Sequence, residues 1–198
     1  MFTVYYVLIG IISFFIAALV LGVWLRSHRT KENAERSSRV MHFLFFVGLV
    51  APPLIAIFYP GLTNLDALLS LPSLPFKPFF LALGIILAIP GLYFLAVTNK
   101  LLRALGSGTN AFILTKKIVD DDIYKRTRNP MSLGFYLFAL SLGFASNSTF
   151  VLLAVSLGLI PTHAFFLKYF EELELELRFG ESYLEYKKTV PFLIPKLE

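Results

Sequence analysis

A chain of 198 residues with 57% hydrophobic and 16% charged side chains departs widely from the roughly 45–50% apolar and 25% charged usage of soluble domains. Together with a mean hydropathy of +0.72, this excludes an ordinary soluble fold and predicts an integral membrane protein in contact with the lipid bilayer. Cysteine is absent, which excludes disulfides, thiolate metal sites, cysteine nucleophiles and palmitoylation.

Uncharged apolar segments of about 20 residues, the length that crosses the hydrocarbon, appear in order along the chain. Phe2 to Leu25 is the first; it lacks a basic start and a small-residue cleavage site before "RSHRTK", so it reads as a retained span. Val40 to Tyr59 is the second, with a kink expected at Pro52-Pro53, and Phe79 to Val97 is the third, with Pro90-Gly91 near its middle. From Met131 to Leu167 no formally charged residue occurs, and the polar run "SNS", Ser146 to Ser148, divides this stretch. A helical hairpin of Met131–Ala145 and Thr149–Phe166 is expected there. The predicted fold class is an all-α integral membrane protein of about five transmembrane helices including a C-terminal helical hairpin, followed by a helical tail. It reads as a single membrane domain over 1–198, with N-terminal spans over 1–105 and the hairpin and tail over 106–198.

Basic residues set an orientation. Arg26–Arg39 holds five, Pro60–Pro78 only Lys77, Thr98–Pro130 seven, the hairpin turn none and Lys168–Glu198 five. Alternate loops thus carry 17 of the 18 Lys and Arg, which predicts an N-terminus outside and a cytoplasmic C-terminus. The net charge of +5 is then juxtamembrane and faces anionic lipid, so no nucleic-acid partner is called for. His28, His42 and His163 lack metal-ligand spacing, and no metal is expected.

Two stretches carry patterns beyond the spans. In "IYKRTRNPMSLGFYLFALSLGF", Lys125, Arg126 and Arg128 run straight into an apolar segment; juxtamembrane anchoring alone accounts for most of that cluster. The tail "EELELELRFGESYLEYKKTVPFLIPKLE" has a second pattern: on a helix continuing from the last span, Glu171, Leu175 and Phe179 share one face, with Tyr183 following after Gly180. A strand over "LELEL" would have no partner, so helix is expected. Lys168 with Glu172 and Glu174 with Arg178 are spaced as i,i+4 pairs that solvate a surface helix. Acids at the base of a span still call for a cation in the site they face.

The order "KKIVDDDIYKRTRNPMSLG", then a hairpin, then "FGESYLEYKKTVP" resembles the isoprenylcysteine carboxyl methyltransferase and phospholipid methyltransferase superfamily of integral membrane enzymes. Ile118-Val119, Tyr124, Arg128, Asn129, Pro130 and Gly134 fill the places of its first block, and the likeness runs from about Gly106 to the C-terminus. It implies a methyltransferase using S-adenosyl-L-methionine at the cytoplasmic membrane edge, with a lipidic or prenylated small-molecule acceptor such as an isoprenylcysteine carboxylate or a phospholipid amine. The cofactor contacts it implies fall on Lys116, Lys117, Ile118 and Val119, on Tyr124, on Asn129, Pro130, Met131 and Ser132, and on Glu171. A carboxylate and aromatic faces suit a sulfonium ligand with an ammonium group, and Arg or amide donors suit its carboxylate. The candidate catalytic residues are Arg128, Glu172 and Lys168.

Departures accompany the likeness. Asp122 stands where the family has the Gly of a GxY turn, Ser132 where it usually has Tyr, and Leu167 where prenylcysteine enzymes place an Arg for the substrate carboxylate. An NADPH-dependent sterol-type reductase shares the C-terminal pattern, but Phe135 occupies the place of its acid. A membrane scaffold or transporter explains the spans and leaves the FGxxYxxY spacing unexplained.

Overall fold

In the computed structural model residues 1–104, 117–120 and 122–196 are described. The described chain is helical throughout. Helix α1 spans Phe2–Ser27, α2 Lys31–Phe58, α4 Lys77–Ala104 and α6 Thr149–Phe179, each long and apolar enough to cross a bilayer. The shorter α5, Pro130–Ala145, is the remaining apolar helix. Short helices α3, Asn64–Leu68, and α7, Glu181–Thr189, lie outside these spans. The all-α class and the expected helical hairpin are therefore present, with four helices long enough to cross a bilayer and the shorter apolar α5 where a fifth span was expected, and "LELEL" is helical.

Boundaries differ from the hydropathy pattern in two places. Helix α2 begins at Lys31, within the basic stretch read above as a loop, because Thr30 caps it by accepting from Asn33 N–H at 3.1 Å. Its first turns bury Ala34, Ser37, Ser38 and Met41. Helix α6 also outruns its apolar part, continuing through the acidic residues to Phe179 before Gly180, at φ 60, ends it.

Widened turns precede Pro52 and Pro161, whereas Pro90 lies within the regular helix α4. A π turn over Phe46–Val50 precedes Pro52 and lets Ala51 N–H reach Phe46 O, and another over Ala154–Leu159 precedes Pro161. These absorb carbonyls that the proline nitrogens cannot serve. A third, Leu167–Glu171, has no proline and lies at the site described below.

Glycines let the helices approach. A Cβ on Gly134 of α5 would sit 2.9 Å from Gly91 O of α4, and one on Gly84 would sit 3.0 Å from Ser141 O. The antiparallel α4–α5 pair is therefore packed backbone to backbone. Gly10 and Gly48 form the corresponding crossing of α1 and α2.

The two ends of the bundle are built differently. At one, Asp66 caps α6: its carboxylate accepts from Thr149 N–H at 2.8 Å, Phe150 N–H at 2.7 Å and Ser148 Oγ at 3.1 Å. Thr3 Oγ1 donates to Tyr59 O at the same end. At the other, the basic end, Arg26 of α1 donates to Tyr169 O of α6 at 2.8 Å and lies over the Tyr169 ring. The core of the bundle between these ends is aromatic and aliphatic, with Phe14, Met41, Phe166 and Phe170 fully or nearly fully buried.

Candidate functional site

The basic end encloses a cavity of about 500 Å³, the size of an ordinary small-molecule site. One wall is a face of α6: His163, Leu167, Glu171, Leu175 and Phe179 line it at four-residue steps, as a helix of 3.6 residues per turn requires. The face expected for Glu171, Leu175 and Phe179 thus exists and extends two turns further into the bundle.

Glu171 contributes an acid to the lining of this cavity. Among the described residues it forms no ion pair and no hydrogen bond. Tyr124 faces it: burial first, then the charge of Glu171, pushes the Tyr124 hydroxyl above its ordinary range. Tyr183 and Tyr186 of α7 complete an aromatic wall, and Tyr186 Oη donates to Tyr124 O at 2.8 Å. A carboxylate amid aromatic faces attracts a cationic ligand.

The segment before α5 supplies the opposite wall. Lys117, Ile118 and Val119 line the cavity, as do Arg128, Asn129, Pro130, Met131 and Ser132. Lys116 lies outside the described residues. Pro130 occupies the first turn of α5 behind Asn129 as N-cap, where its missing N–H leaves no gap in the hydrogen-bond ladder. Asp122 adopts φ 47, the left-handed conformation that explains the glycine usual in this turn and that Asp tolerates better than most residues.

Glu172 and Lys168 stand apart from the cavity lining. Glu172 is the hub of an ion cluster, 3.1 Å from Arg128, 3.1 Å from Lys168 and 2.7 Å from Lys187. Lys168 is half exposed and its ammonium lies 4.2 Å from the centre of the Phe192 ring. Arg128, by contrast, both lines the cavity and binds this hub, so one guanidinium joins α6 to the loop before α5.

The pair Glu174–Arg178 differs from its expected surface role. The two are 2.7 Å apart with side-chain exposures of 2% and 6%, because the early start of α2 covers this face of α6. Both line the cavity with Ser38 and His42 of α2.

A C-terminal strap over 191–196 holds the loop in place. Arg128 N–H donates to Pro191 O at 2.9 Å, Asn129 Nδ2 to Phe192 O at 2.8 Å and Thr127 Oγ1 to Leu193 O at 2.9 Å. Lys196 N–H donates back to Arg126 O at 3.0 Å. Asn129, read above as a ligand donor, therefore has its amide engaged by the strap while its remaining surface meets the cavity.

Sequence reasoning missed Ser38, His42, Asn99 and His163 as lining residues. The α6 residue was discoverable, since the series Phe179, Leu175, Glu171 steps back through Leu167 to His163. The others come from helices whose approach to α6 has no local signature.

The cavity is amphipathic. Glu171, Arg128 and the tyrosines supply its polar lining, and Val50, Phe45, Phe135 and Phe166 its apolar lining. Fold and site together define a multi-pass membrane protein with a ligand cavity at one end of its bundle. The profile of the phospholipid methyltransferase family matches residues 79–182, just over half of the chain, and the chain belongs to that family. Membership implies S-adenosylmethionine as the methyl donor and a lipid acceptor. Comparison with curated proteins and with solved structures found no significant match.

Proposed function

We propose that this protein transfers a methyl group from S-adenosylmethionine to a membrane-dissolved acceptor, either an isoprenylcysteine carboxylate or a phospholipid amine. The observation that carries the reading is the Glu171 carboxylate, without an ion pair or hydrogen bond among the described residues, beside Tyr124 in an amphipathic cavity. These residues fit the donor: Glu171 suits its ammonium, Tyr124 and Tyr183 suit cationic and aromatic parts, and Arg128 suits its carboxylate. When bound, that group supplies an electrophilic methyl on a sulfonium.

The chain's own work is binding, orientation and exclusion of water. Glu172 holds Arg128 at the wall, the strap holds Asn129 and Pro130, and the π turn at Leu167–Glu171 aims Glu171 inward. The apolar part of the cavity receives the lipid body, which keeps the reacting atoms dry and close. Lys168, at the membrane edge with its aliphatic stem along apolar surface, holds the anionic part of an acceptor head group. The basic end faces the cytoplasm in this reading, with the N-terminus outside.

The deciding experiment is a thermal-shift comparison of the detergent-solubilised chain with S-adenosylhomocysteine and with NADPH. A ligand that binds only the folded state raises its melting temperature. Stabilisation by S-adenosylhomocysteine is expected; stabilisation by NADPH alone overturns the reading in favour of a reductase.

A further inference from the structure

The cavity holds one polar feature for which binding S-adenosylmethionine gives no role. His163 is 6% exposed and lies eight residues before Glu171 on the same face of α6, about 12 Å deeper at the helical rise of 1.5 Å per residue. Its ring is enclosed by Phe45 at 4.8 Å, Phe166 at 5.6 Å, Phe135 at 6.1 Å and Phe14 at 6.3 Å between centroids. Tyr136 of α5, itself 4% exposed, places its hydroxyl 2.9 Å from His163 Nδ1.

The 2.9 Å contact allows either group to donate; with the hydroxyl donating to Nδ1, the proton of a neutral imidazole lies on Nε2, and that tautomer is the one taken below. Nε2 makes no hydrogen bond among the described residues. On that tautomer Nε2 is an N–H donor in the lining of the cavity, and a ligand that seals it among the phenyl rings without supplying an acceptor incurs a cost. Water or a ligand must answer the donor, and the chamber belongs to the cavity that receives the lipid.

The ligand group at this depth is not an anion. Of the cations among the described lining residues, Arg128 pairs with Glu172, Arg178 pairs with Glu174 and Lys117 is exposed. The position that would put an Arg nearer, Leu167, is an apolar residue 2% exposed. His42, the other histidine of the lining, stands with Ser38, Glu174 and Arg178 of the polar lining. A neutral His163 imidazole among phenyl rings matches an uncharged oxygen.

Resting on the methyltransferase reading, we propose that His163 is a specificity-determining residue that donates from Nε2 to an ester or keto carbonyl oxygen carried by the acceptor lipid below its head group. Tyr136 is its positioning residue, selecting the tautomer that presents the donor. A glycerolipid ester places a carbonyl some way below the head group that is methylated; an isoprenyl chain places none there. Binding the latter leaves the His163 donor buried and unmatched, the situation in which a site discriminates strongly against a substrate lacking the partner group.

The test compares binding of diester phosphatidylethanolamine with its diether analogue, which keeps the head group and chains and lacks the carbonyls. It uses the full chain in detergent and reads affinity by lipid titration. The wild-type chain is expected to bind the diester about tenfold more tightly, the scale of one hydrogen bond to a buried neutral donor. His163→Phe abolishes the preference and Tyr136→Phe reduces it, while the affinity for S-adenosylhomocysteine is unchanged in both. Where His163→Phe gives no cooperative melt, Tyr136→Phe decides. Equal binding of the two lipids by the wild-type chain overturns the proposal, as does an undiminished diester preference in the folded variants. Failure of the wild-type chain to bind S-adenosylhomocysteine with the diester preference intact overturns the methyltransferase reading instead, and with it the role of the lipid as methyl acceptor.

Discussion

The Arg128 guanidinium lies 3.1 Å from the Glu172 carboxylate, with side-chain exposures of 7% and 8%. This contact joins two parts of the chain more than forty residues apart in sequence, and it turns a juxtamembrane basic cluster into one wall of a cavity. Lys168 and Lys187 on the same carboxylate make the junction a cluster rather than a pair.

Glu172→Gln therefore leaves Arg128 buried without its counter-charge. Breaking a buried ion pair from one side costs about 3–5 kcal/mol, and the Lys187 and Lys168 ammoniums, being more exposed, keep this loss toward the lower figure. A fall in the melting temperature of the ligand-free protein is expected, larger than for Lys168→Met, whose ammonium is half exposed. Equal melting temperatures for the two variants would contradict the assigned hub.

Glu171 and Glu174 separate binding from stability. Glu171 has no protein partner among the described residues, so Glu171→Gln removes an uncompensated charge and should leave the melting temperature unchanged or higher. The same change should weaken S-adenosylhomocysteine binding by about 2–4 kcal/mol, the scale for losing a desolvated charge partner. Glu174→Gln strands Arg178, 2.7 Å away, and should lower the melting temperature with a smaller effect on affinity. Isothermal calorimetry and thermal melts on both variants check the crossed pattern; identical affinities remove Glu171 from the site.

Asp66 acts at the far end of the same helix. Its carboxylate accepts three hydrogen bonds at the start of α6, so Asp66→Ala should destabilise the fold by about 2–3 kcal/mol, with charged acceptors above the usual cap. Affinity for S-adenosylhomocysteine should be unaltered in the folded fraction. A changed affinity without a changed melting temperature would mean that Asp66 communicates with the cavity in some other way.

The orientation is checked in the natural cysteine-free background. Single cysteines at Lys77 and Asn147 should react with an impermeant thiol reagent applied to intact cells, and one at Lys188 should react only after permeabilisation. The 17-to-1 division of basic residues motivates the assignment. Labelling of the Lys188 site from outside, with none at Asn147, would invert the topology.

Hydropathy and polar breaks were enough to locate the membrane helices, because a bilayer demands about 20 apolar residues per span and satisfies no stray backbone polar group. The one face of α6 carrying Glu171, Leu175 and Phe179 was legible for a similar reason: helical periodicity is local. Pro130 at the first turn of α5 and the helical reading of "LELEL" belong to the same kind of information. What the sequence left undecided was whichever property depends on how helices meet. The Glu174–Arg178 spacing is identical for a solvated pair and a buried one, and only the cover given by Ser38, Met41 and their neighbours on α2 makes it buried. The strap from Pro191 to Lys196 pairs backbone groups with Arg126–Asn129, contacts that no side-chain pattern encodes. Nothing in the sequence pairs His163 with Tyr136; only the packing of α5 against α6 brings the hydroxyl within 2.9 Å of Nδ1, since the surroundings of a buried imidazole are set by the tertiary fold.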